Sequence, residues 1–296
     1  MPAAATASPT RTRGDLLAAA RALGASSGGV GAARVLSLLY DPDVEVTAVL
    51  DCLHADPGLA ARVLKVANAP YYRQAGHIGT VDRAVAVLGL TAIRGVAASG
   101  CLDRLTPPRS GTGFDPERFR LHSLAVACAA RQLSDFSGAG IASEAYMAGL
   151  LHDIGWLLLV KVDPAAMARY VPPTATQQTA DHACAMAAEQ AHFGATHEAC
   201  ALLLTQAWAL PGWLAHSIAG HHAAAAAPGV PPTSGLAGLP ALLALADHAA
   251  LAAGFGLHAD AAVPTASAAL AGCRDDQLQA LIAALPDTLA ALQTSP

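Results

Sequence analysis

The chain has 296 residues, a formal net charge of −5, and 54% hydrophobic against 13% charged residues. Such a low charge content argues against intrinsic disorder, and an acidic balance with no run of Lys or Arg argues against nucleic-acid binding. Alanine alone supplies 73 residues; it is the best helix former and is depleted from strands, so the expected fold class is all-α.

Residues 1–13 are rich in Ala, Thr and Pro and read as a disordered leader, because no apolar run follows them at once. Val35, Leu38 and Leu39 form a helical stripe that stops at Asp41-Pro42. A helix is expected from Glu45 to His54. Asp56 with Pro57 then starts another, which ends at Asn68-Ala69-Pro70. Thr80 can cap a helix with the face Val81, Ala84, Val85 and Leu88; Gly89-Leu90 makes a corner, and the chain stays helical to Leu105. The Pro- and Gly-rich stretch 107–113 is the best linker in the chain. Asp115-Pro116-Glu117 opens a long helix to Phe136. One helix is expected over 143–160 and a short one from Asp163-Pro164. Further helices are expected at 178–193, 195–209, 211–222, 236–254 and 274–293, with a low-complexity loop over Ala223–Gly235. The expected organisation is a helical lobe over 14–106, a second over 114–254, and a C-terminal extension over 255–296 that carries the final helix.

Two exclusions follow from patterning. Ala199 to Ala246 contains no Asp, Glu, Lys or Arg, yet Pro211-Gly212, His221-His222 and Pro231-Pro232 interrupt it, so buried helices are expected and no membrane span. Six scattered cysteines include no CxxC pair; they fit buried free thiols in the cytoplasm and neither a disulfide scaffold nor a thiolate zinc site. Trp208 and Trp213 read as inter-helix packing, and Tyr71-Tyr72 as a contact between lobes or a docking surface.

Nine of the twelve histidines fall between His122 and His248. With two aspartates, several form an ordered series: His122, then His152-Asp153, then His197, then His221-His222, then Asp247. Neutral imidazoles with carboxylates suit a divalent transition metal, which can polarise a phosphoryl oxygen and activate water. Simpler readings exist. His122 shares its face with Phe119, Val126, Ala129 and Leu133, and so could be a core histidine bonded to a carbonyl. His152-Asp153 lies among Leu150, Leu151, Ile154 and Leu157, which argues against a solvated pair, and a buried Asp needs a cation. His182, His192, His216 and His248 fit the series less well and read as surface or supporting residues.

Several segments resemble the bacterial HDOD domain. In the first lobe these are Asp56-Pro-Gly-Leu-Ala-Ala-Arg-Val-Leu-Lys-Val-Ala-Asn68, Tyr71-Tyr72 and Ala84-Val-Ala-Val-Leu-Gly-Leu90. In the second they are His122-Ser123, Ala148-Gly-Leu-Leu-His-Asp-Ile-Gly155, Phe193-Gly-Ala-Thr-His197 and Leu210-Pro211. The resemblance implies a two-lobed helical signalling module of the cytoplasm, related to the HD and HD-GYP phosphohydrolases and used as an output or scaffold domain. HD-GYP enzymes carry a basic residue directly after this HDIG; here it is Trp156. No Gly-Tyr-Pro follows His221-His222.

The functional expectation is a stand-alone signalling module that acts through a protein partner or a small ligand, with a retained site for Fe, Mn, Ni or Zn and without efficient catalysis. The alternative is a metal-dependent phosphohydrolase acting on a nucleotide or cyclic dinucleotide. On that reading His122, His152, Asp153 and Asp247 hold one metal, and His197, His221 and His222 contribute to a second. Nucleotide binding without turnover is a third option.

Overall fold

The computed structural model describes residues 13–25, 30–41, 43–69, 77–108, 113–170, 182–222, 232–257 and 273–294. The leader up to residue 12, Tyr71-Tyr72 and most of the expected loop after His222 lie outside these residues. Among the described residues there are helices and no strand, so the all-α expectation holds.

The first bundle is built by α2 (Val30–Leu39), α3 (Val46–His54), α4 (Pro57–Ala67) and α5 (Val81–Leu105). Asp56 caps α4 by accepting the Leu59 N–H at 3.1 Å, with Pro57 in the first helical position, where its missing N–H costs nothing. Asn68 closes the far end: its amide donates to Leu64 O and Ile78 O, and its oxygen accepts the Ile78 N–H at 2.9 Å. The expected corner in α5 is a kink at Gly89, whose φ of 73° lies in the left-handed region open to glycine. The part-buried Asp56–Arg104 pair, at 2.5 Å, ties α4 to the end of α5.

The second bundle begins at α6 (Pro116–Ser137), capped by Asp115, which accepts the N–H groups of Glu117 and Arg118. Where one helix was expected over 143–160, the structure has two: α7 (Ala142–Leu151) and α8 (Gly155–Val162). Between them the backbone bonds tighten to the i→i+3 pattern, Ile154 N–H to Leu151 O and Trp156 N–H to Asp153 O. The His152 ring meanwhile donates to Gly149 O. Apolar periodicity runs unbroken through this turn, so patterning could not reveal it; such tightened turns often mark functional positions. Next come α9 (Pro164–Arg169), α10 (His182–Phe193), α11 (His197–Ala207), α12 (Gly212–Ala219), a 3-10 turn over Pro232–Gly238, α13 (Leu239–Ala252) and α14 (Asp275–Thr294).

α6 packs along α7, α13 and α14; α8 packs on α11; and α12 packs on α11, α7 and α13. Before all of these, α1 (Arg13–Ala25) sets Leu16, Ala20 and Leu23 on one buried face, packed on α11 and α8 of the second bundle. Two glycines allow the closest approaches. A Cβ at Gly149 would lie 2.8 Å from Ala127 Cα, and one at Gly155 only 1.8 Å from the His197 carbonyl oxygen. The absence of both side chains is what brings α7 against α6 and α8 against α11. Between the bundles, α5 packs on α7. Tyr40 meets Trp213 edge-on at 5.5 Å, and Arg94 lies over the Tyr40 ring.

Three stretches, Val81–Leu105, Ala142–Val162 and Gly235–Ala252, are long and apolar enough to cross a membrane by length and composition alone. Ala142–Val162 is divided by the turn just described, and its most apolar 18-residue window is 83% buried inside the protein, so its apolar surface faces the core.

Candidate metal centre

The helix crossings just described bring all seven residues of the histidine–aspartate series together. His122 projects from the second turn of α6. His152 and Asp153 sit in the turn between α7 and α8. His197 is the first residue of α11, His221-His222 follow α12, and Asp247 lies in α13. His122, His152, Asp153, His197, His221 and Asp247 are buried, and His222 is half-buried at the edge.

Four of the rings are oriented in the same way. Nδ1 of His122 donates to Phe255 O at 2.8 Å, and that of His152 to Gly149 O at 2.8 Å. His221 Nδ1 donates to Ile218 O at 2.6 Å, and His197 Nδ1 to the Glu189 carboxylate at 2.8 and 2.9 Å. With Nδ1 occupied as donor, a neutral ring presents the lone pair of Nε2 inward. Holding the outer nitrogen in this way is how proteins orient histidine ligands.

The inward nitrogens converge on Asp153. Its Oδ2 lies 3.3 Å from His122 Nε2 and 3.4 Å from His152 Nε2, and its Oδ1 lies 3.4 Å from His197 Nε2. Asp247 Oδ1 stands 3.5 Å from His122 Nε2. Two groups of potential ligands therefore share Asp153: His122 with His152, and His197 with His221 and His222. The anchored rings of His122 and His152 also face each other through Nε2 at 3.2 Å, and His197 Nε2 lies 3.0 Å from His222 Nε2. In the His122–His152 pair, two lone pairs at that separation repel unless a proton or a cation lies between them. The buried Nε2 of His221 has no hydrogen-bond partner at all, a cost of about 1–3 kcal/mol for an unsatisfied buried group. The donor set fits a divalent transition metal, and nitrogen with carboxylate oxygen is the ligand type that Fe, Mn, Ni and Zn accept.

The electrostatics favour positive charge at this centre. Burial alone would push Asp153 up, but the rings of His152, His122 and His197 hold it well below the usual carboxylate range. Burial likewise opposes charge on His197, yet Glu189 and Asp153 raise it to about 9. His122 is raised, with burial outweighed by Asp153 and Asp247. His221, buried and beside His152, is driven well below its ordinary value and stays neutral. The site thus holds fixed negative charge and at least one neutral imidazole.

Three supporting features were not legible in the sequence. Glu189, buried in α10, takes both the backbone N–H and the ring N–H of His197. Glu198 accepts the His222 N–H at 3.4 Å. The Phe255 carbonyl, beyond α13, holds His122. A faint signal existed for Glu189: it shares a helical face with Phe193 four residues on, an odd place for a lone acid. Trp156 stacks flat on His197, with ring centroids 5.3 Å apart and planes 11° apart. Phe193 and Tyr170 pack round it. Of the remaining histidines, His192 donates to Ala166 O, His216 is exposed, His248 is half-buried, and the His182 side chain lies outside the described residues.

An all-helical protein built round a buried histidine–aspartate cluster is thus defined, and the comparisons agree. The family model of the HDOD domain matches residues 30–224, and the chain belongs to that family. A protein of Shewanella amazonensis SB2B, provisionally named a phosphohydrolase, is 27% identical; the match covers 88% of this chain and 89% of that one, with a TM-score of 0.58. An HDOD domain protein of unknown function from Geobacter sulfurreducens has the same fold at 23% identity, with 93% and 95% covered and a TM-score of 0.62. A provisionally named signal transduction protein from Marinobacter aquaeolei VT8 shares the fold at 23% identity and a TM-score of 0.64, over 88% of this chain and 58% of that one. No curated protein matches.

Proposed function

We propose that this chain is a signal-transduction module that acts by binding a protein partner or a small ligand, keeps a divalent transition-metal site in its second bundle, and turns substrate over inefficiently or not at all. The observation that carries this reading is the ring of Nδ1-anchored imidazoles round Asp153, with Trp156 lying flat on one of them. His122, His152, Asp153 and Asp247 would hold one ion. His197, His221, His222 and the other oxygen of Asp153 would hold a second. Bound there, the metals supply Lewis acidity and a water of lowered pKa.

The chain's own residues orient that site more than they equip it for turnover. Backbone carbonyls and Glu189 lock the rings. Trp156 stands where related hydrolases place a cation, and an indole face cannot donate to a developing phosphoryl charge. Loss of one such donor costs about 3–4 kcal/mol of transition-state stabilisation. The five described cysteines are free thiols, which supports a reducing cytoplasm as the compartment.

A second reading, a metal-dependent phosphohydrolase acting on a nucleotide or cyclic dinucleotide, is favoured by the completeness of the ligand set and by the provisional name of the Shewanella protein. The two are separated by loading the purified protein with Mn, Fe, Ni or Zn, measuring bound metal, and assaying bis-p-nitrophenyl phosphate and cyclic dinucleotides. Metal retained with turnover at background is expected. Turnover that Asp153→Ala abolishes would overturn the binding-module reading in favour of the enzyme.

A further inference from the structure

His197 differs from the other anchored histidines in what holds it. His122, His152 and His221 each lean on a backbone carbonyl. His197 leans on a carboxylate. Glu189 is only 2% exposed, and its hydrogen bonds go to His197 alone among the described residues. Its Oε2 accepts the His197 backbone N–H at 2.7 Å, and both oxygens lie within 2.9 Å of His197 Nδ1.

A buried carboxylate is costly unless its partners compensate it. One compensation is structural. His197 opens α11, so its N–H is one of the donors a helix start leaves unpaired, and negative charge is favoured there. That role alone does not need the ring contact, because Thr196 already caps α11 by accepting the Ala199 N–H. The ring contact does something the cap does not. It keeps the proton on Nδ1 and aims Nε2 at Asp153 Oδ1, 3.4 Å away, and at His222 Nε2, 3.0 Å away. Trp156 stacks on one face of the same ring and restrains its tilt.

We propose that Glu189 is a positioning residue that fixes His197 as a ligand of the second metal subsite, leaving the His122–His152 subsite to be set by backbone carbonyls. The inference rests on the metal-site reading above. A carboxylate behind the ring also makes Nε2 the stronger donor, so the two subsites differ in what tunes them. Glu189→Gln nearly preserves shape. Its amide can donate to Nδ1, which would move the ring proton to Nε2 and block ligation.

Co2+ is the probe, followed in the full-length protein by its visible absorption and by calorimetry. Wild type is expected to take up about two ions per chain. In Glu189→Gln the first is expected to bind as in wild type, and the second about 10–100-fold more weakly. On a His197→Ala background, Glu189→Gln is expected to weaken metal binding no further, because the acid reaches the metal only through that ring. Equal second-site affinity in Glu189→Gln and wild type would overturn the role of Glu189 while leaving the metal site standing. So would a Glu189→Gln effect that is undiminished when His197 is already Ala. A wild-type chain that binds no Co2+ would overturn both. Should Glu189→Gln fail to fold, Glu189→Asp carries the same test: it keeps the charge with a shorter reach, and selective weakening of the second ion is again expected. Weakening of both ions alike, or of neither, contradicts the proposal.

Discussion

At the scale of single residues, a few side chains hold the centre and a missing one makes room for it. Gly155 has to be glycine: any Cβ there would collide with the His197 carbonyl. Gly155→Ala is expected to cost about 3 kcal/mol, at the upper end of overpacking penalties, and to separate His197 from Asp153. Urea denaturation together with metal uptake would check both. The HDIG segment is legible in sequence because its glycine and its ligand pair are adjacent. Glu189 is not, because a lone acid on an alanine-rich helix looks like any solvated surface residue until α10 is placed against α11.

The Asp56–Arg104 pair makes a pH-dependent prediction at the same scale. Burial would raise Asp56, but the Arg104 guanidinium and the N–H groups of Leu59 and Gly58 more than offset it and lower the carboxyl below its ordinary 3.8. A carboxyl lowered by folding contributes stability that is fully present above its unfolded value and is lost as pH falls through the folded one. Arg104→Met is therefore expected to be less stable than wild type by about 1–3 kcal/mol near pH 7, with the gap narrowing as the pH falls below 3.8. A gap independent of pH would contradict the ion pair's role.

At the scale of elements, the family match over residues 30–224 stops short of parts that complete the centre. Asp247 and the Phe255 carbonyl lie beyond it, and α14 holds α6 and α13 in place through Leu278, Leu281, Leu285 and Leu289, all buried. α1, ahead of the match, braces α8 and α11. Leu285→Ala should cost about 2–5 kcal/mol, as buried leucine truncations do. It should also weaken metal binding, because α6 carries His122. Thermal melts with and without added metal would show it; metal affinity untouched by a destabilised α14 would mean that this helix serves stability alone. Caps made four helix starts legible: Asp56, Thr80, Asp115 and Asp163 each accept a first-turn N–H. The break at 152–154 was not legible, since the apolar run over Leu150–Val160 carries no Gly-Pro punctuation and only a single glycine.

At the scale of the whole molecule, two helical bundles meet where α5 packs on α7 and Tyr40 on Trp213. Trp213 lies in α12, the helix that leads into His221-His222. The first bundle thus touches the element next to the metal ligands. The histidine excess, set in a chain poor in charge, marks one buried centre, and the alanine excess marks the close helix packing that builds it. What composition could not convey is that the four anchored rings turn the same nitrogen inward, since that depends on three backbone carbonyls and the Glu189 carboxylate, all from different parts of the chain. The most direct test of this account is elemental analysis of the full-length protein, reconstituted with Mn, Fe, Ni or Zn, beside its Asp153→Ala variant. The account predicts about two ions per chain in wild type and almost none in the variant, where the shared carboxylate is gone. A wild-type protein that retains no metal under any of the four would contradict it.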